Sequence, residues 1–186
     1  MQAIVQTAQK EQWSAKIAAV ISNKPDAAGL AFAHAQGIPT AVVESKKFAT
    51  REAFDAALQT QIDVFSPDCV VLAGFMRILT PAFVAHYENR LLNIHPSLLP
   101  SFVGLHTHRQ ALDAGVKVHG ATVHFVTAEL DHGPIIDQAT ITVFDDDTEE
   151  SLAQRLLTQE HQMYPRAVHR FVEGQLKIRG NRVLKN

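Results

Sequence analysis

Residues 69–73 (CVVLA) form an uninterrupted apolar run, and this run limits the possible folds more than any other feature of the sequence. Such runs are typical of strands that are covered on both faces of a parallel sheet. Segments with helical spacing lie around it, as in residues 50–65, where Phe54, Leu58 and Ile62 recur. Alternating strands and helices predict an α/β fold with a doubly wound, mostly parallel, Rossmann-like sheet. Ligands of such sheets bind at the carboxyl ends of the strands.

The same patterns predict the order of the elements. Strands are expected at residues 17–22, 39–43, 69–73, 91–95, 118–126 and 135–143. Helices are expected at residues 2–12, 29–36 and 50–65, from Thr80-Pro81 onward, and from Asp147 to about Glu173 with an interruption near Pro165. Because 186 residues are ample for one domain and short for two, we expect a single domain over residues 1–186.

Charge and cysteine content exclude several classes of protein. The formal net charge of −2 does not suggest a nucleic-acid-binding surface, and no apolar stretch reaches the roughly 18 residues of a membrane span. We therefore expect neither nucleic acid nor membrane as a partner. The single cysteine, Cys69, lies in the apolar run, which predicts a buried thiol in a cytoplasmic protein. The basic residues of the C-terminal segment are expected to form a solvated end: Lys177, Arg179, Arg182 and Lys185.

The densest cluster of candidate catalytic residues contains Asn93 and His95. In a strand, residues two apart project from the same face, about 7 Å from each other. An amide can hold a developing oxyanion while an imidazole transfers a proton near neutral pH, so the pair suits acyl transfer. A second interpretation stays open, in which Asn93 caps a turn and His95 is satisfied by the backbone.

Asp131 is a further candidate, because Gly133-Pro134 predicts a turn that places it on a loop. A carboxylate there could orient His95, although a local hydrogen bond within the turn is the more ordinary role. The ten histidines include His106 with His108, and His119 with His124. No carboxylate stands at ligand spacing beside them, so we expect no metal site.

Two further segments allow either a binding or a packing role. Arg51 stands near a helix start, where the helix dipole opposes a cation, so the position would suit a ligand with a carboxylate. Residues 74–79 (GFMRIL) follow the apolar strand and could line a pocket for a flat ring. An exposed arginine and an ordinary packed loop are the alternatives.

Four stretches carry a resemblance to a known family: residues 67–79 (PDCVVLAGFMRIL), 93–108 (NIHPSLLPSFVGLHTH), 119–134 (HGATVHFVTAELDHGP) and 159–165 (QEHQMYP). Together they resemble glycinamide ribonucleotide formyltransferase over nearly the whole chain. The resemblance implies the formyltransferase fold and transfer of a formyl group from 10-formyltetrahydrofolate to glycinamide ribonucleotide in purine biosynthesis. It implies no metal, and a monomer or a homodimer.

The resemblance also implies roles for single residues. Asn93, His95 and Asp131 match the catalytic trio of the family, in which the first two stabilise an oxyanion and the third keeps the histidine charged. Glu160 matches the acid that contacts the ribonucleotide. The remaining matches bind the folate, Asn93 among them: Arg51 meets its glutamate tail, and Met76, Arg77, Ile78, Leu79, Thr127, Ala128, Glu129 and Leu130 line its ring.

The family opens with a strand and a glycine-rich phosphate loop, whereas this sequence opens inside the helix that follows them. We expect the strand to belong between residues 17–22 and 69–73, and ribonucleotide binding to be weak without the loop. A misassigned start is the favoured explanation, ahead of a natural pseudoenzyme or a substitute segment. Two other functions stay open: formyltetrahydrofolate deformylase or a related formyltransferase, and a folate-binding module without transferase activity.

Overall fold

The computed structural model describes residues 1–185. Its helices are α1 (Gln2–Lys10), α2 (Ala28–Ala35), α3 (Arg51–Asp63), α4 (Pro81–His86), α5 (Thr107–Asp113) and α6 (Glu149–Val172), with a short 3₁₀ helix at Ser45–Lys47. Its strands are β1 (Val20–Ser22), β2 (Thr40–Val42), β3 (Val70–Leu72), β4 (Leu91–His95), β5 (Val118–Phe125), β6 (Ile135–Thr142), β7 (Leu176–Arg179) and β8 (Arg182–Lys185).

The strands form two sheets. The parallel pair β1–β2 stands alone, and a six-stranded sheet has the order β3-β4-β5-β6-β8-β7. Strand β3 pairs in parallel with β4, whereas β4, β5 and β6 form an antiparallel run. The predicted α/β fold class is confirmed. Within residues 1–185 no strand pairing joins the two sheets.

Two apolar clusters cover opposite faces of the larger sheet. Leu91 and Leu92 are consecutive in β4, so their side chains point to opposite faces. Leu92 packs in a cluster with β5, β6 and α6, and Leu91 packs in a cluster with α3 and α4. Asn93 and His95 alternate with Leu92 and therefore share the face of Leu91. The carboxyl end of β4 thus presents both polar side chains on the α3–α4 side of the sheet.

Strand β3 differs from its prediction, because all three of its residues are half-buried rather than covered on both faces. It forms the outer edge of its sheet, so only one of its sides is paired. The adjacent Cys69 is also half-buried in area, and burial raises the pKa of its thiol to about 12. A thiol in that state is protonated near neutral pH and is a poor nucleophile.

The predicted interruption of the last helix near Pro165 is wrong. Helix α6 runs without a break through Pro165, which is itself buried. A proline inside a helix costs about 3 kcal/mol, and burial of Leu156, Met163, Tyr164 and Ala167 along the same helix offsets that cost.

The 3₁₀ helix, helix α5 and the C-terminal hairpin were not predicted. Helix α5 follows the histidine-rich segment, and the C-terminal end folds into the β7–β8 hairpin, whose four basic side chains are exposed as expected. The hairpin is held by apolar residues that alternate with the basic ones, since Leu176, Ile178 and Val183 pack against the core. Within residues 1–185, no helix is long and apolar enough to cross a lipid bilayer.

Candidate active site

Strands β4 and β5 build the centre of the candidate site. Their antiparallel register sets Asn93 opposite His124 and His95 opposite Thr122. Directly opposite residues point to the same face of an antiparallel pair, so these four side chains form one polar group. Asn93 and His95 were paired from the sequence, whereas His124 was considered there only as a weak metal candidate and Thr122 was not singled out.

His95 is enclosed between two oxygen acceptors, with 7% of its side chain exposed. Its Nε2 lies 3.0 Å from the Phe102 carbonyl oxygen, and its Nδ1 lies 3.6 Å from Oδ2 of Asp131. A carbonyl oxygen only accepts hydrogen bonds, so Nε2 carries a hydrogen in either charge state. Nδ1 is the nitrogen that faces the Asp131 carboxylate.

Asp131 reaches across to a different loop rather than bonding within its own turn. Its Oδ2 accepts a hydrogen bond from the Gly104 N–H at 3.1 Å, and 7% of its side chain is exposed. Its backbone adopts a positive φ of 55°, which is uncommon for a residue other than glycine. The interpretation of Asp131 as the partner of His95 therefore fits the geometry better than a local turn role.

Gly133 holds this loop against β5. A Cβ atom added at Gly133 would lie 1.7 Å from the Phe125 carbonyl oxygen, far inside van der Waals contact. Only glycine lets the backbone approach so closely. The glycine that the sequence marked as a turn thus fixes the distance between Asp131 and the strand beneath it.

Arg77 and Thr80 tie the loop after β3 to helix α3. The Arg77 guanidinium lies 4.8 Å from the centre of the Phe54 ring, and the Thr80 N–H donates to Asp55 Oδ2 at 2.6 Å. Arg51 is three and four residues before Phe54 and Asp55, so it lies on the same face of α3. The structure therefore brings Arg51 to the side of the loop that contains Met76 to Leu79.

Three apolar side chains beside the site face solvent. Met76 is 74% exposed, Ile78 is 56% exposed and Leu130 is 45% exposed. The loop that contains Thr127, Ala128 and Glu129 is likewise open, although the Thr127 hydroxyl donates to the Glu129 carbonyl at 3.1 Å. Exposed apolar groups around a polar centre are typical of a binding surface for a partly apolar ligand.

Glu160 lies on α6, one turn before Tyr164. The Tyr164 hydroxyl donates to the carbonyls of Leu72 and Leu92, which are the last residue of β3 and the residue before Asn93. Glu160 thus lies one helical turn, about 5.4 Å along the helix axis, from the residue that anchors α6 to the ends of β3 and β4. Burial raises the pKa of its carboxyl group. The next residue, His161, lines a cavity of about 330 Å³ at the start of α1.

Two other histidines, His108 and His119, form a separate pair. His108 Nδ1 and His119 Nε2 lie 3.1 Å apart beneath the loop after β4, and burial lowers the pKa of His119 to about 4. Among residues 1–185, no group of three histidine, cysteine or acidic side chains could hold a metal ion.

The structure brings together Asn93, His95 and Asp131, and the predicted folate residues lie on the loops after β3 and β5 and at the start of α3. Their roles in catalysis and binding stay predictions. The Phe102 carbonyl, the Gly104 N–H and the His124 ring were missed, because the first two are backbone groups and the third depends on strand register.

Comparisons with known proteins identify the family of this chain. The family model described as formyl transferase matches residues 1–168. Phosphoribosylglycinamide formyltransferase of Escherichia coli (strain K12) is 52% identical over 97% of this chain and 85% of its own length. Glycinamide ribonucleotide transformylase 1 from Symbiobacterium toebii is 46% identical, with a TM-score of 0.95 over 99% of this chain and 87% of its own.

A more distant structure separates the alternatives. A formyltetrahydrofolate deformylase from Pseudomonas syringae is 32% identical, with a TM-score of 0.91 over 99% of this chain but only 61% of its own. The chain therefore resembles the ribonucleotide enzymes more closely than the deformylase, in both identity and shared length. This chain belongs to the formyl transferase family.

Proposed function

We propose that this protein transfers a formyl group from 10-formyltetrahydrofolate to the amine of glycinamide ribonucleotide, a reaction of purine biosynthesis. The observation that carries the proposal is the enclosed group of Asn93, His95 and Asp131 at the carboxyl end of β4. Relatives that are about half identical over nearly the whole chain are named for this reaction.

The chemistry requires a carbon–nitrogen bond to form at the formyl carbon while the bond from that carbon to the folate nitrogen breaks. One proton moves, in net terms, from the attacking amine to the folate nitrogen. Negative charge gathers on the formyl oxygen between these events, and an amide donor and an imidazolium both lower the energy of such charge. Asn93 supplies the amide N–H, and His95 supplies the N–H at Nδ1. Asp131 Oδ2 lies 3.6 Å from Nδ1 and is the carboxylate that would pair with the imidazolium.

The residues around this centre fit a folate. A flat ring would cover the exposed side chains of Met76, Ile78 and Leu130, which water now contacts. Leu79 completes the apolar loop. Arg51 has 46% of its side chain exposed, and within residues 1–185 its only ion pair is a long 3.8 Å contact with Glu52. Its guanidinium is therefore available to a carboxylate of the folate tail.

Glu160 is the candidate contact for the ribonucleotide. A partly desolvated carboxylate beside a cavity gains from a ligand that donates hydrogen bonds to it, such as an amine or a sugar hydroxyl. His161, the residue after Glu160, lines the cavity at the start of α1. A helix start favours anions, which suits a substrate that carries a phosphate.

The test is a formyl-transfer assay with both substrates, followed by mass analysis of the ribonucleotide. It is run on the 186-residue chain and on the same chain preceded by the N-terminal segment of the Escherichia coli relative. Formylated ribonucleotide from either protein supports the proposal. Formate released at the same rate with and without the ribonucleotide contradicts it and indicates a deformylase. Binding of a folate analogue without either product indicates a binding module.

A further inference from the structure

The buried ring of His124 faces the amide of Asn93 across β4 and β5. His124 Nε2 lies 3.4 Å from Asn93 Nδ2, and only 2% of the histidine side chain is exposed. The two residues are paired directly in the register of the strands. The contact is therefore built into the sheet and does not depend on a loop.

The backbone determines which nitrogen of His124 carries the hydrogen. His124 Nδ1 lies 2.9 Å from the Phe125 carbonyl oxygen, which can only accept a hydrogen bond. Nδ1 is therefore protonated. Burial lowers the pKa of His124, so the ring is neutral at pH 7 and Nε2 carries a lone pair. The groups that face the ring are Asn93, Asp131, whose Oδ1 lies 4.0 Å from Nε2, and the neighbouring His95.

An acceptor at Nε2 decides the orientation of the Asn93 amide. With the NH₂ group toward His124, one N–H donates to Nε2 and the other is free. With the amide rotated by half a turn, its carbonyl oxygen would face the lone pair of Nε2, and the two would repel. The orientation of an asparagine amide follows from such a network.

We propose that His124 is a positioning residue that fixes the Asn93 amide with its NH₂ group toward the reaction centre, leaving one N–H for the formyl oxygen. This role rests on the proposed function. The neutral ring also leaves Asp131 to His95, because Nε2 without a hydrogen cannot donate to that carboxylate. The buried His124 ring thus orients the Asn93 amide and leaves the Asp131 carboxylate to pair with His95.

The first test needs no activity. A nitrogen–carbon correlation spectrum of the imidazole rings, with the spectrum of H124Q used to identify the ring, reports which nitrogen carries the hydrogen. We expect His124 to be neutral at pH 7 with the hydrogen on Nδ1. A ring protonated at Nε2, alone or together with Nδ1, would overturn the proposal, whatever the protein catalyses.

The second test uses a matched pair of variants. H124N keeps a donor near the Phe125 carbonyl but has nothing at the position of Nε2. H124Q can place its amide oxygen there. We expect kcat to fall about tenfold in H124N, the order of one buried neutral hydrogen bond, and less than threefold in H124Q. KM for the folate stays within twofold in both.

A double-mutant cycle separates positioning from general damage. If His124 acts through Asn93, H124N costs less than twofold in kcat when Asn93 is already alanine. A tenfold loss that persists in the N93A background would refute the proposal, as would equal losses in H124N and H124Q. If neither the 186-residue protein nor its extended form transfers a formyl group, the proposed function fails and the positioning role fails with it, whereas a ring protonated at Nε2 in an active protein refutes the positioning role alone.

Discussion

Strands β5 and β3 carry neighbouring parts of the same site but differ in burial. Every residue of β5 except Val118 is buried, whereas every residue of β3 is half-buried, as is every residue of β1. The trio stands beside β5, because Asn93 and His95 lie opposite it on β4 and Asp131 lies on the loop that follows it. Most residues proposed to bind the folate and the ribonucleotide lie on the less buried side, after β3 and on α3 and α6, while residues 127–130 lie on the loop after β5.

This difference separates two kinds of effect. Groups held by buried strands keep their geometry with or without a ligand, so changing them should alter the chemical step. Groups on exposed loops and helix ends gain order when a ligand arrives, so changing them should alter affinity. Substitutions on the two sides therefore test whether the separation holds, through kcat on one side and KM on the other.

The largest effect is expected for Asn93→Ala. The change removes one proposed oxyanion donor, and such a loss costs on the order of 100- to 1000-fold in kcat. Steady-state rates measure the effect, and thermal unfolding serves as the control, because Asn93 is only half-buried and bears no part of the apolar core. A kcat within fivefold of the wild type would remove Asn93 from the chemistry.

Gly133→Ala is expected to have the second-largest effect. The added methyl would lie 1.7 Å from the Phe125 carbonyl, so the loop must move and take Asp131 with it. We expect a roughly 10- to 100-fold loss of kcat, together with a loss of about 1–3 kcal/mol of stability, as overpacking typically costs.

A matched variant distinguishes this clash from ordinary glycine effects. Gly37 has a positive φ of 69° but no atom within 4 Å of an added Cβ. Gly37→Ala should lower stability by about 1 kcal/mol with little change in kcat. If both glycine variants lose activity equally, the loop of Asp131 is not the cause.

A smaller effect is expected for Arg51→Gln on the exposed side. Loss of a guanidinium that meets a carboxylate of the folate tail should raise KM for the folate about tenfold, the order of 1–2 kcal/mol for a charge-assisted hydrogen bond. The value of kcat should change less than twofold. Arg179→Gln, which also removes an exposed arginine, is the control and should change neither constant. A drop in kcat with unchanged KM would contradict the expectation that residues on the exposed side act on affinity.

Some parts of the site could be predicted from the sequence and others could not. Asn93 and His95 could be paired from their spacing within one strand, and β4 was predicted with its observed bounds. The partners of that pair could not be found this way, because His124 is set opposite Asn93 by the register of β4 and β5, and register depends on the whole sheet. The β7–β8 hairpin was not predicted, because its few apolar residues alternate with basic residues and the segment was interpreted from its charge alone.

The smallest effect is expected for Glu160→Gln. Burial raises the pKa of this carboxyl group above its value in the unfolded chain, so the folded state holds the proton more tightly. Its contribution to stability is therefore complete at pH values below the unfolded pKa and is lost as pH rises through the folded pKa. Glutamine is never ionised and avoids this loss.

Glu160→Gln should therefore be more stable than the wild type near pH 7, by less than about 3 °C in melting temperature, and the difference should vanish near pH 4. KM for the ribonucleotide should rise in the same variant, because the substrate loses a charged acceptor. Thermal scans at the two pH values and ribonucleotide titrations check both results. A destabilised variant with normal KM would mean that Glu160 is held by the fold and not reserved for a ligand. If the variant is instead more stable and its KM for the ribonucleotide is raised, the gain in melting temperature measures the stability that the wild type loses by keeping an ionised carboxylate for its substrate.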